Sequence, residues 1–349
     1  MNLTTVSKRI SIAACCLLPL AAVSTAVAMD QSGPYQVEAH WKIGGEGGWD
    51  YVTADPHAHL LYIAHETRVD IVDSRSGKVV GGITGLKHTH GIALDNQDKH
   101  GYISDGGGNV VVVFDRHTFK TVASIPAGTN PDGIAFEPVT KTVWAFNGRS
   151  SNVTVIDAKT LKVAATIQLP GKPEFPVADG KGVIFDNIES KNSIVRLDAK
   201  TLQLTATWPL TDCESPSGLA IDQVHRRLFS VCDNKKMAVT DANSGKSLAT
   251  PTIGDGPDAA GFDPAHQLAF SSNGDGTLTV VNTASGKFDV VQDLTTARGA
   301  RTMTVDTATG RIYLVTAEFG TRPAATAQNP RPRPAIVPGS FTVLVVGRK

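Results

Sequence analysis

Val69-Asp70-Ile71-Val72-Asp73 returns as Val111-Val112-Val113-Phe114-Asp115 and again as Val153-Thr154-Val155-Ile156-Asp157. Each is a short run rich in strand-favouring residues that ends on an acid and enters a turn. Three more copies follow: Ile194-Val195-Arg196-Leu197-Asp198, Met237-Ala238-Val239-Thr240-Asp241 and Leu278-Thr279-Val280-Val281-Asn282. Their last residues stand 42, 42, 41, 43 and 41 positions apart. That period, filled with short alternating strands and no helical stretch, is the period of a four-stranded propeller blade.

A second ruler agrees with the first. A residue opening each unit stands eleven positions before an aromatic: Tyr51 to Tyr62, Gly91 to Tyr102, Gly133 to Trp144, Gly218 to Phe229, Ala259 to Phe270 and Thr302 to Tyr313. A further unit, from Pro176, has a shortened turn at Asp179-Gly180-Lys181-Gly182. The last unit ends with Phe341-Thr342-Val343-Leu344-Val345-Val346 and lacks its fourth strand, whereas Tyr35–Ile43 supplies an extra strand ahead of the first unit. Pairing the two closes the ring and removes an open sheet edge. The expected fold is all-β: a seven-bladed β-propeller of four-stranded antiparallel blades, closed by the N-terminal strand in the last blade. Residues 29–349 form one domain in this reading.

Composition fits that picture and narrows the function. The 349 residues are 41% hydrophobic and 19% charged, which is globular and neither collagenous nor disordered. Lys and Arg balance Asp and Glu at 33 each, so no basic excess favours nucleic acid as a general partner. Lys8 and Arg9, the apolar stretch 10–23 and Ala26-Val27-Ala28 spell an export signal cleaved before Met29. A membrane anchor needs roughly 20 apolar residues, and Ser11, Pro19, Ser24 and Thr25 interrupt this stretch. Ile12-Ala13-Ala14-Cys15 superficially resembles a lipoprotein box but stands too close to Arg9 for a normal apolar region. Removing residues 1–28 takes away two basic and no acidic residues and leaves 31 basic against 33 acidic. The mature protein is expected to be periplasmic or secreted, monomeric and free of the membrane. Cys213 and Cys232 then remain, on one face of one blade and placed for a disulfide; a bound metal or two free thiols are the alternatives.

The B-strand tetrapeptides Tyr62-Ile63-Ala64-His65, Tyr102-Ile103-Ser104-Asp105, Trp144-Ala145-Phe146-Asn147 and Phe270-Ser271-Ser272-Asn273 look like degenerate YVTN repeats. Turns such as Ser76-Gly77-Lys78, Thr160-Leu161-Lys162 and Ser244-Gly245-Lys246 follow the repeated acids. Over nearly all of its mature length the chain resembles the exported YncE-like family of YVTN β-propellers. No unit spells the tetrapeptide fully, and residues 319–339 form a Pro/Arg-rich insertion in the last blade. The resemblance implies the fold and leaves the activity open, since propellers host many unrelated functions. Related propellers have been linked to nucleic acid, a partner that the charge balance here supports only weakly.

Ligands of propellers usually lie on the face where the D–A and B–C loops surround the central channel. The eleven-residue ruler brings Asp50, His90, Asp132, Phe175, Ser217, Asp258 and Arg301 into register there, with His88, Glu174 and Glu214 close by. A second ring at the B-strand ends is His65, Asp105, Asn147, Asp186, Cys232, Asn273 and Thr316. Asp50, His90, Asp132, Glu174, Asp258 and Arg301, with His88, are the candidate ligand-binding set at the channel mouth. Asp50, His90 and Asp132 come from neighbouring blades and offer oxygen and imidazole ligands to a divalent cation. Turn chemistry is the competing explanation, because Asn130-Pro131-Asp132-Gly133 and Gly256-Pro257-Asp258 are good turn sequences. Trp49-Asp50 imitates a WD repeat but occurs once and in the wrong loop. Arg322, Arg331 and Arg333 of the insertion are candidates for docking an anionic partner.

Two functions follow as expectations. The first is a binding or scaffold module for a small polar ligand, a metal ion or a protein partner. The alternative is a metal-assisted, lactonase-like hydrolase, with the Asp/His ring holding an ion and His88 or Glu174 as base. No Cys-x-x-Cys-His haem site and no phosphate-binding Gly-rich loop is present.

Overall fold

Seven four-stranded antiparallel sheets make up nearly all of the regular structure in the computed structural model, which describes residues 1, 33–97, 99–326, 332 and 334–349. The sheets all lie within Gln31–Lys349. Apart from Met1, the expected export signal lies outside the described residues. Among the described residues, Glu189–Lys191 forms a 3-10 turn, and no helix is long and apolar enough to cross a membrane.

Blade 1 runs Val52–Asp55, Leu60–His65, Arg68–Asp73 and Val79–Thr84 as strands A to D. The A strands of blades 2 to 7 are Thr89–Leu94, Pro131–Glu137, Pro173–Ala178, Pro216–Asp222, Pro257–Asp263 and Thr302–Asp306. In blade 7 the fourth strand is Tyr35–Lys42, paired antiparallel with Thr342–Arg348 from Tyr35 opposite Arg348 to Lys42 opposite Thr342. The ring is therefore a seven-bladed propeller closed by its N-terminal strand, as the repeat arithmetic predicts.

The core is a set of seven apolar clusters, each between neighbouring blades. The aromatic ruler becomes a ring of B-strand side chains, Tyr62, Tyr102, Trp144, Phe185, Phe229, Phe270 and Tyr313, all essentially inaccessible to water. The recurrent acids are turn formers. Asp115 accepts the His117 and Thr118 amides at 3.0 and 2.7 Å, and Asp73, Asp157, Asp198 and Asp241 repeat the pattern. A second acidic set, which the sequence reading passes over, does the same for the A–B hairpins: Asp55, Asp95, Glu137, Asp179, Asp222, Asp263 and Asp306. All seven are buried, and their lone pairs are used by turn amides.

The A strands of blades 2 to 6 carry one further device. Each has a register shift near its start, between Thr89 and Ile92, Pro131 and Ile134, Pro173 and Pro176, Pro216 and Leu219, and Pro257 and Ala259. A bulge re-aims the side chain inside it. The side chains re-aimed here are those of His90, Asp132, Glu174, Ser217 and Asp258. Glycine follows where blades approach closely: a Cβ on Gly133 would lie 2.7 Å from the Glu174 carbonyl oxygen.

Candidate functional site

Five bulges and two loop ends thus present one residue per blade to the channel mouth. Asp50 precedes strand A of blade 1, and His90 and Asp132 sit in the bulges of blades 2 and 3. His90 Nδ1 lies 2.6 Å from Asp50 Oδ2 and 3.7 Å from Asp132 Oδ1. One ligand atom from each of the three falls within 4.8 Å of the others. Two carboxylate oxygens and an imidazole nitrogen at that spacing are a donor set for a divalent cation.

The neighbours make the region strongly acidic. Lys172 Nζ pairs with Glu174 Oε2 at 2.9 Å and also with Glu189. Arg301 Nε stands 3.5 Å from Asp258 Oδ2, which also accepts the Thr302 hydroxyl at 3.2 Å. Asp186, on the B strand of blade 4, is fully buried, and among the described residues no side chain pairs with its carboxyl. Six carboxyl groups (Asp50, Asp132, Glu174, Asp186, Glu189, Asp258) share the region with three cationic side chains, His90, Lys172 and Arg301.

Titration follows from that imbalance. Burial pushes Glu174 up to about 8, with Asp132 adding to it and Lys172 opposing. Burial likewise raises Asp132, Asp258 and Asp186, the last two against different neighbours: Arg301 opposes at Asp258, while Glu174 and Asp132 reinforce at Asp186. Burial works against a charged His90, yet Asp50, Asp132 and Glu174 outweigh it and lift the imidazole to about 9.

One residue beyond Asp50 and Glu174, two aromatic rings meet. Tyr51 of blade 1 stacks on Phe175 of blade 4, centroids 4.9 Å apart, and its hydroxyl donates to the Glu174 carbonyl at 2.9 Å. Blades 1 and 4 are not neighbours, so this contact spans the ring. Tyr51 was not among the expected site residues, and no local signal separates it from the other ruler positions.

The other expected residues divide clearly. His88 is half-exposed and stands 3.4 Å from Glu66, its ring edge-on to His90 at 4.8 Å, so it lies outside the three-residue donor group. Among the described residues His90 Nε2 is buried without a partner, and a Cβ on Gly106 would come within 2.7 Å of it. That nitrogen is closed to any substrate. Most of the second ring is structural. His65 pairs with Asp70 at 2.7 Å, Asp105 accepts the Lys87 and His88 amides, and Asn147 and Asn273 bind threonines of their own blades. Cys213 and Cys232 form a disulfide with a Cα separation of 5.4 Å. Among the described residues, Asp186 is the member of that ring whose carboxyl no side chain engages.

Beside the donor group a cavity of about 570 Å³ opens under the insertion of blade 7. Asp50, His88, Asp258 and Arg301 line it, together with Trp49, Arg298, Phe319 and Arg322. Arg331 and Arg333 lie outside the described residues. Arg298 was not anticipated, although it stands three residues before Arg301 in the same loop.

No family model matches the chain, and no curated protein matches it by sequence. Solved structures match in fold. The WD40 repeats of RRP9 superpose with a TM-score of 0.74 at 10% identity, over 90% of this chain and 98% of theirs. U3-55K gives 0.73 at 10% identity, over 89% and 98%. Hydrazine synthase of Kuenenia stuttgartiensis gives 0.68 at 15% identity, over 83% and 95%. At such identities the likeness is one of fold: this chain is a β-propeller, similar to WD40 and other propeller structures.

Proposed function

We propose that the chain is an exported, monomeric YVTN-type propeller of the YncE-like kind that works as a binding module, with a divalent cation held at its channel mouth by Asp50, His90 and Asp132. The observation that supports this reading is the convergence of three ligand atoms within 4.8 Å from three blades. The surrounding carboxyl excess favours a cation there, because buried like charges are costly unless neutralised. Borderline ions such as Mn²⁺ or Zn²⁺ suit one imidazole and two carboxylates, and Ca²⁺ suits the oxygens.

Binding is preferred to the hydrolase. The bases that the hydrolase would use, Glu174 and His88, both stand outside the three-residue donor group, Glu174 paired with Lys172 and His88 with Glu66. Elemental analysis of protein prepared without chelator, followed by calorimetric titration of the stripped protein with Mn²⁺, Zn²⁺ and Ca²⁺, tests the proposal. One saturable site that Asp132→Asn and His90→Ala abolish is the expected result. Unchanged affinity in both variants would sink it.

A further inference from the structure

The insertion of blade 7 is firmly seated at its base. Gly320 N donates to the Ala335 carbonyl at 2.8 Å, Val337 N to the Glu318 carbonyl at 2.9 Å and Gly339 N to the Gly45 carbonyl at 3.0 Å. Phe319 presses onto Gly299, whose φ of +78° is left-handed; a Cβ there would sit 2.7 Å from the ring. Thr316 Oγ1 donates to the Arg298 carbonyl at 2.9 Å and holds the adjoining D–A segment. The cavity beneath therefore has built walls. Trp49 and Phe319, centroids 6.1 Å apart, provide an aromatic surface, and Ile336 extends it.

Charge decides what the cavity takes. Its acids are all engaged: Asp50 by His90, Glu66 by the Gly48 amide at 3.1 Å and by His88, and Asp258 by Thr302 and Arg301. Arg298 and Arg322 also line it, and among the described residues neither side chain has an ion pair or hydrogen bond. A guanidinium binds a carboxylate in a planar, bidentate fashion. The three nearby carboxylates disfavour a dianion over a monoanion. We infer that this cavity binds a small aromatic carboxylate, with its carboxylate on Arg298 and Arg322 and its ring against Trp49 and Phe319. The volume is in the range of small-molecule sites.

This inference does not rest on the cation site, and the test separates the two. The purified protein is titrated with phenylacetate by calorimetry in the presence of EDTA, alongside phenylacetamide, acetate and phenyl phosphate. Saturable one-to-one binding of phenylacetate is expected, with each of the other three weaker by roughly tenfold or more, the loss that follows when a charge-assisted pair or the ring contact is missing. The R298A/R322A variant should lose affinity by a similar factor at an unchanged unfolding midpoint, since both side chains are exposed. Arg322→Ala alone, on the outer part of the loop, serves if the double variant does not fold. Four results would overturn the inference: no saturable binding of phenylacetate, equal binding of the amide, undiminished binding by the arginine variant, or tighter binding of phenyl phosphate. Binding that appears only when a divalent cation replaces EDTA would place the carboxylate on the metal and overturn it as well.

Discussion

Tyr51 and Phe175 meet face to face across the propeller, 4.9 Å between centroids and 26° between planes, although three blade steps separate their strands. The contact ties blade 1 to blade 4 directly, whereas every other blade is held mainly by its neighbours. Tyr51→Ala removes the stacking and leaves the Phe175 ring partly unsupported. It should lower unfolding free energy by about 3 kcal/mol. Tyr51→Phe keeps the ring and loses only the bond to the Glu174 carbonyl, for about 1 kcal/mol. Urea unfolding of the two variants checks both values, and equal losses would show that the hydroxyl, not the stack, matters.

The channel mouth should make the protein less stable in alkali. Glu174 rises from 4.5 to about 8, so folding favours its protonated form. That contribution is complete below pH 4.5 and is lost as pH climbs through 8. His90 rises from 6.5 to about 9, so its charged form contributes fully below pH 6.5 and ceases to do so above 9. Both effects run the same way. Without divalent cation the unfolding free energy should fall between pH 5 and pH 9 by an amount on the order of a few kcal/mol, and the thermal midpoint should fall with it. Glu174→Gln should flatten much of the profile. A flat wild-type curve would contradict the assigned environment of both groups.

The opposite limb belongs to the turn acids. Asp115, Asp157, Asp198 and Asp241 are held below the usual carboxylate range, chiefly by turn hydrogen bonds at the first three; at Asp241 burial opposes and the Ser244 bonds prevail. Their contribution is present above pH 3.8 and is lost as pH falls further. Maximum stability is therefore expected near pH 5, and a midpoint series from pH 2 to pH 9 reads both limbs in one experiment.

The Cys213–Cys232 bridge closes a short loop, with a sequence separation of 19, and both residues are buried. A loop of about that length corresponds to roughly 3 kcal/mol in the chain-entropy account. Cys213→Ser/Cys232→Ser should lower the unfolding midpoint accordingly, and dithiothreitol should lower that of the wild type but not of the variant.

How much of this is legible in the sequence depends on the range of the interaction. Asp115 and Thr118 are three residues apart, so the turn they form is written locally and repeats with the blade. The register of Asp50, His90 and Asp132 is legible too, because symmetry carries each A-strand start to the same place. Tyr51 and Phe175 are 124 positions apart, and their meeting depends on the width of the closed ring. The Arg298 and Phe319 side of the cavity depends on how one insertion folds back, which no repeat encodes. The A–B acids are a different case. Asp55, Asp95 and Asp222 are as local as Asp115, but Glu137 interrupts the pattern and the hairpin at Asp179 is shortened, so the series is easy to overlook.

One buried amide reinforces the strand pairing that closes the ring. Gln292, on the outer strand of blade 6, accepts the Tyr35 N–H on its Oε1 at 3.0 Å and donates from Nε2 to the Tyr35 carbonyl at 2.9 Å. Tyr35 opens the strand that completes blade 7, so a single side chain satisfies both backbone groups where the first and last strands of the propeller pair. Gln292→Ala leaves both groups buried and unpaired, at a cost of about 2–4 kcal/mol. Gln292→Glu preserves the acceptor and removes the donor, so it should recover part of the loss at low pH, where the carboxyl is protonated and can donate. If hydrogen exchange at the Tyr35–Lys42 amides is no faster in Gln292→Ala than in the wild type, the clasp is dispensable and strand pairing with Thr342–Arg348 alone closes the ring.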